Sequence, residues 1–121
     1  MIEIVLPLPH KNLSPNARCH WRAKAAATKK ARSDASWAAL AGIADRNWNQ
    51  PLWGTATVQA TFYFRDKRRR DRDNMLSSCK AYFDGLADSG LIANDSGLTH
   101  LPVKVEIDKA NPRVVLTVTP S

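Results

Sequence analysis

The residues of this chain best suited to chemistry lie between Lys67 and Asp95. Lys67-Arg68-Arg69-Arg70 runs directly into Asp71-Arg72-Asp73-Asn74, and Asn94-Asp95 follows after an amphipathic run that ends near Gly90. If Asp71 and Asp73 end a strand, the period of two puts both carboxylates on one face. Two hard oxygen ligands beside arginines suit Mg²⁺ and a phosphate together. The same spacing also serves a solvated turn in which Arg and Asp simply neutralise each other.

Two stretches must position these groups. Thr55 to Phe64 is strand-like, with Val58, Ala60, Phe62 and Phe64 alternating against Thr57, Gln59, Thr61 and Tyr63. That strand delivers the chain to the basic and acidic cluster. Asp73 or Asn74 can then cap a helix. Met75, Cys79, Tyr82 and Leu86 recur at helical spacing, Leu76, Phe83 and Ala87 widen the apolar stripe, and Ser89-Gly90 ends it. Ser77, Lys80, Asp84 and Asp88 fall on the polar side.

Around this centre, Ile2 to Leu6 reads as a short buried strand closed by prolines. Ser14-Pro15 is a possible helix start. A long helix is expected from Cys19 to Asp45, anchored by Trp21, Trp37 and Leu40, with Arg18, Arg22, Lys24, Lys29, Lys30 and Arg32 crowded into its first half. Asn47 to Gly54 is a loop carrying Trp48 and Trp53. Val103, Val105 and Ile107 alternate with charged residues, and Val114 to Thr119 is the last strand, the two forming a terminal hairpin. The order β-α-β-α-β-β predicts an α+β domain, a small mixed β-sheet with two helices packed on it.

The 121 residues make one domain large enough for a core without staples. A net charge of +7 favours a polyanionic partner, most simply nucleic acid. Cys19 and Cys79 are too few and too isolated for a disulfide framework or a zinc site, and read as reduced thiols of a cytoplasmic protein. The amino terminus does not read as a signal peptide, and no apolar run approaches a membrane span.

The stretch from Lys67 to Asp95 resembles the RusA-type Holliday junction resolvases, endodeoxyribonucleases of prophages and bacteria. The matching elements are Arg70-Asp71-Arg72-Asp73-Asn74, Lys80, Asp84-Gly85-Leu86 and Asn94-Asp95. Leu13-Ser14-Pro15-Asn16-Ala17-Arg18-Cys19-His20-Trp21 is similar to that family's amino-terminal segment. The resemblance implies Mg²⁺, with Mn²⁺ as a substitute, held by Asp71, Asp73 and Asp95. Lys80 would complete the catalytic set, although some members carry the lysine one turn earlier, where this chain has Ser77. Asn94 replaces the first member of the usual acidic pair. Lys67, Arg68, Arg69, Arg70, Arg72 and Arg18 would contact DNA. The implied substrate is branched DNA, a four-way junction nicked symmetrically by a homodimer. As large apolar residues in a loop, Trp48 and Trp53 are expected near the dimer interface. The competing readings are a non-catalytic basic DNA-binding protein and a metal-dependent nuclease for other branched DNA.

Overall fold

A computed structural model of the protein describes residues 1–44, 53–68 and 70–121. Trp48 and Arg69, both given roles above, lie outside the described residues, as does the expected helix end at Asp45. Strands β1 (Ile2–Leu6), β2 (Ala56–Phe64), β3 (Leu98–His100), β4 (Lys104–Ile107) and β5 (Arg113–Pro120) form a mixed sheet. Helices α1 (Trp21–Ile43), α2 (Arg72–Ser78) and α3 (Lys80–Asp88) complete an α+β fold.

β2 organises the sheet because its alternation is complete. Ala56, Val58, Ala60, Phe62 and Phe64 are all buried, and the intervening residues are half-exposed. One edge of β2 pairs antiparallel with β5, which pairs in turn with β1. The other edge pairs in parallel with β3 near the start of β2 and with β4 near its end. A parallel partner needs a crossover, and α2 and α3 supply it.

The expected terminal hairpin does not form, since β4 and β5 lie on opposite sides of β2. β5 buries Val114, Leu116 and Val118 and matches β2 from Ala56↔Pro120 to Tyr63↔Arg113. β4 offers little to compete with that. Val103 is buried ahead of it, but Val105 is only half-buried and Ile107 is exposed, so the expected wet-and-dry alternation fails there.

α1 does not pack through its large residues. Trp21 and Trp37 are 68% and 71% exposed, while Ala31, Ala35, Ala39 and Ile43 make the buried stripe at i, i+4 spacing. Small residues face inward because α3 approaches closely there. A Cβ on Gly85 would collide with the Arg32 carbonyl oxygen and stand 2.8 Å from the Ala35 Cβ. The helix also starts later than Ser14-Pro15, which instead follows a 3-10 turn at Lys11–Leu13. His20 is the cap, its Nδ1 accepting from the Arg22 N–H at 3.1 Å.

The second expected helix is two. The chain bends at Cys79 (φ −91°, ψ 1°), whose N–H bonds back to Leu76 and Ser77. The Cys79 thiol is fully buried, and burial pushes it up to about 12, which leaves it unreactive. Gly90, at φ 85°, ends the helical segment in the left-handed conformation that glycine tolerates best. Both cysteines are free thiols. No helix among the described residues is long and apolar enough to cross a membrane.

Candidate functional site

Asp71 and Asp73 are not at a strand end. β2 stops at Phe64, and seven residues separate it from α2, which begins at Arg72. Asp71, rather than Asp73 or Asn74, is the cap: its Oδ1 accepts from the N–H of Asp73 at 2.9 Å and of Asn74 at 3.3 Å. Asp73 sits in the first turn, where the helix dipole favours a carboxylate. It makes no side-chain hydrogen bond or ion pair with another described residue.

The connecting loop explains two of the arginines. Arg70 donates to the Asp66 carboxylate at 3.0 Å and to the Arg68 carbonyl at 2.8 Å, and its guanidinium lies 3.8 Å from the Phe64 ring centroid. Arg72 donates to the Val103 carbonyl at 2.8 Å, tying the start of α2 to the segment just ahead of β4. Both brace the loop through these bonds, and Arg72 remains exposed. A turn that re-enters a half-buried layer needs donors for its carbonyls, and arginine supplies several from one side chain. Lys67, Arg68 and Arg18 are exposed.

Lys80 opens α3 and reaches two carboxylates at once. Its Nζ lies 2.6 Å from Asp84 Oδ1 and 2.6 Å from Asp95 Oδ2. The first contact follows from i, i+4 spacing on one helix face. The second is tertiary. Asn94 caps the 3-10 turn Asp95–Gly97, accepting from the Ser96 N–H at 3.1 Å, and that turn presents Asp95. Asn94 is thus the residue that shapes the turn.

The electrostatics follow from these contacts. Asp84 and then Asp95 raise the Lys80 ammonium above its usual range. Lys80, assisted by Asp84, holds the Asp95 carboxyl below its own. A cavity of about 270 Å³ opens beside the cluster, lined by Lys24 and Thr28 of α1 and by Ser77, Ser78, Lys80 and Asp84.

Arg32, on α1, forms a two-pronged pair with Asp88 of α3 and also feels Asp84 and Asp95. Arg32 holds the Asp88 carboxyl below its usual range. Such a group contributes stability above its unfolded pKa, about 3.9, and that contribution is lost as pH falls through the lowered folded value. Asp88→Asn should therefore cause a small drop in Tm at pH 7 that narrows as pH falls below about 4. Melting curves across that range check it, and a gap that persists unchanged at pH 2.5 would contradict the account.

The structure thus gathers Lys80, Asp84 and Asp95, and sets Asp71 and Asp73 apart at the start of α2. Among the described residues, no three of His, Cys, Asp and Glu stand close enough to hold an ion between them. The donor chemistry still fits Mg²⁺, which commonly uses one or two carboxylates and completes its shell with water and phosphate oxygens. Asp73 carries an exposed carboxylate outside any described pair, and Asp71 uses Oδ1 alone as the cap. Sequence reading missed Arg32, Lys24 and Thr28 as neighbours of the cluster. Their i, i+4 spacing was visible, but what they faced was not.

Trp53, expected near a dimer interface, is half-buried against the core. It exchanges backbone hydrogen bonds with Leu91 and Ala93, at 2.9 and 3.1 Å.

Fold and cluster together define a basic α+β domain with a lysine-bridged pair of carboxylates and, apart from it, a capped acidic helix start. The chain belongs to the same family as an uncharacterized protein of Xylella fastidiosa (strain Temecula1). The two are 37% identical over 126 aligned residues, which cover 98% of this chain and 76% of the relative. No family model matches the chain.

Proposed function

We propose that this protein is a RusA-type, divalent-metal-dependent endodeoxyribonuclease that cuts four-way DNA junctions as a homodimer. The observation that carries the reading is the Lys80 ammonium, 2.6 Å from both Asp84 and Asp95. Three of the matching elements that suggested a nuclease, Lys80, Asp84-Gly85-Leu86 and Asn94-Asp95, thereby share one solvent-accessible cluster.

Lys80 keeps its charge at any physiological pH, since both partners raise its pKa. An ammonium held by two carboxylates can exchange one of them for a phosphate oxygen and stabilise the negative charge that develops there. Asp84 keeps the amine aimed during that exchange. Lys67, Arg68 and Arg18, exposed at the surface, hold flanking phosphates without sequence preference. Mg²⁺ or Mn²⁺ held by one or two carboxylates at the start of α2, those of Asp71 and Asp73, with water and phosphate oxygens completing its shell, would supply an acidified water and neutralise charge on the scissile phosphate.

The test is cleavage of four-way, flap and linear DNA with different metals. Mg²⁺ and Mn²⁺ should support junction cleavage, Ca²⁺ should bind without turnover, and excess chelator should abolish cutting. Full cleavage in chelator would overturn the metal-dependent reading. The homodimer should appear in light scattering as about twice the chain mass of 13.4 kDa. A monomer that still resolves junctions would count against it.

A second reading has its own support. Asp71 caps a helix, and Lys80 neutralises Asp84 and Asp95, so three of the four aspartates have structural work. A non-catalytic basic DNA-binding protein would show the same contacts. It would bind junctions but cut no DNA in any metal.

A further inference from the structure

The first half of α1 carries an exposed surface that runs away from the candidate cluster. Trp21, Lys24, Ala25, Thr28, Lys29 and Arg32 follow one another at helical spacing and line a shallow groove of about 520 Å³. Trp21 is 68% exposed, with the adjacent Arg22 guanidinium 5.3 Å from its ring centroid and the His20 ring 5.6 Å away. Indole burial is worth far more than indole exposure, so a bare Trp in the first turn of a helix calls for a partner.

The charge of the groove says what that partner is. Lys24 and Lys29 form no ion pair with any described residue, whereas Lys30, around the helix, is paired with Asp34 at 2.8 Å. The first turn of α1 carries no acidic residue. An exposed aromatic ring among unpaired lysines matches a strand with bases to stack and phosphates to neutralise.

The groove also leads to the candidate cluster. Lys24 and Thr28 line both it and the cavity that holds Lys80 and Asp84. Arg32, at its far end, feels Asp84 and Asp95. From Arg32 to Trp21 the helix rises roughly 16 Å, which is about five nucleotide steps at duplex spacing. We propose that the α1 groove is the track of a single DNA strand leaving the Lys80 cluster, and that Trp21 stacks on an unpaired base of that strand. The proposal rests on the nuclease reading for the strand's origin at the cluster. It narrows the substrate to branched DNA with unstacked nucleotides beside the branch point.

The experiment is binding in excess chelator, so that no cleavage is needed. Tryptophan emission and affinity would be followed on adding a ten-nucleotide single-stranded oligonucleotide and a fully paired duplex of the same sequence. The unmutated protein should bind the single strand better, with quenching. Trp21→Ala should lose most of the quenching and bind the single strand roughly tenfold more weakly, with duplex binding almost unchanged. Trp21→Phe should also lose the quenching but keep most of the affinity, because the phenyl ring still stacks. Lys24→Ala with Lys29→Ala should weaken binding and flatten its salt dependence. Trp37→Ala, equally exposed on the same helix, should retain the quenching and the affinity. Single-strand affinity and quenching unchanged in Trp21→Ala would overturn the proposal. Trp21-dependent binding in a protein that cuts nothing in any metal would instead overturn the nuclease reading and leave this strand track standing.

Discussion

Asp71→Asn should stop DNA cleavage while leaving a folded, junction-binding protein. The side chain does two jobs that the substitution separates. As the cap of α2 it accepts from two backbone N–H groups, at 2.9 and 3.3 Å. Asparagine caps a helix about as well as aspartate, so Tm should barely move. As a proposed metal ligand it supplies a full negative charge, which the amide lacks. Cleavage should fall on the order of 10²–10³-fold, the scale of losing one preorganised charge-stabilising group. Junction affinity should hold or rise slightly, because a carboxylate that repels phosphate has gone. Asp71→Ala should in addition destabilise the protein by about 1 kcal/mol, through loss of the cap. Asp73→Asn, which touches no cap, should reproduce the loss of cutting. Junction cleavage by folded Asp71→Asn at the unmutated rate would end the nuclease reading.

The second large effect is on the fold. Gly85→Ala should be strongly destabilising, although alanine is the better helix former by about 1 kcal/mol in isolation. The added Cβ would run into the Arg32 carbonyl, the Ala35 Cβ at 2.8 Å and the Ser36 nitrogen at 3.1 Å, all parts of the α1 backbone or its small-residue stripe. None of these is the flexible end of a long side chain, so the two helices must separate. Overpacking of this kind costs about 1–3 kcal/mol, equivalent to a fall in Tm of roughly 5–15 °C for a domain of this size. The consequence reaches the site, since α3 carries Lys80 and its displacement lengthens the Lys80–Asp95 contact. Thermal melts of Gly85→Ala and Gly54→Ala make the comparison. Nothing lies within 4 Å of a Cβ at Gly54, and its backbone is not left-handed, so that variant should be close to neutral. Equal melting of the two proteins would show that the helix crossing is looser than described.

Much of this protein was determined by local pattern alone. The alternation from Ala56 to Phe64 specified β2 and its buried face. The helical spacing of Met75, Cys79, Tyr82 and Leu86 placed the segment after it, and the i, i+4 relation of Lys80 and Asp84 gave an ion pair that the fold contains. These features depend on neighbours a few residues apart, so the periods of strand and helix suffice to read them.

Tertiary structure decided the rest. Whether β5 pairs with β4 or inserts between β1 and β2 depends on which distant edges meet, and a four-residue β4 with an exposed Ile107 could not hold it. Trp21 and Trp37 were expected inside because they are large and apolar, yet the close approach permitted by Gly85 leaves room there only for small side chains such as Ala35. Arg70 and Arg72 read as members of a basic run, and only the fold shows that they also bond the Asp66 carboxylate and the Val103 carbonyl. Lys80 meets Asp95 only because the 3-10 turn capped by Asn94 returns the chain to the start of α3. A side chain's partner across the fold is set by the closure of long loops and the packing of faces, and neither leaves a periodic trace in the sequence.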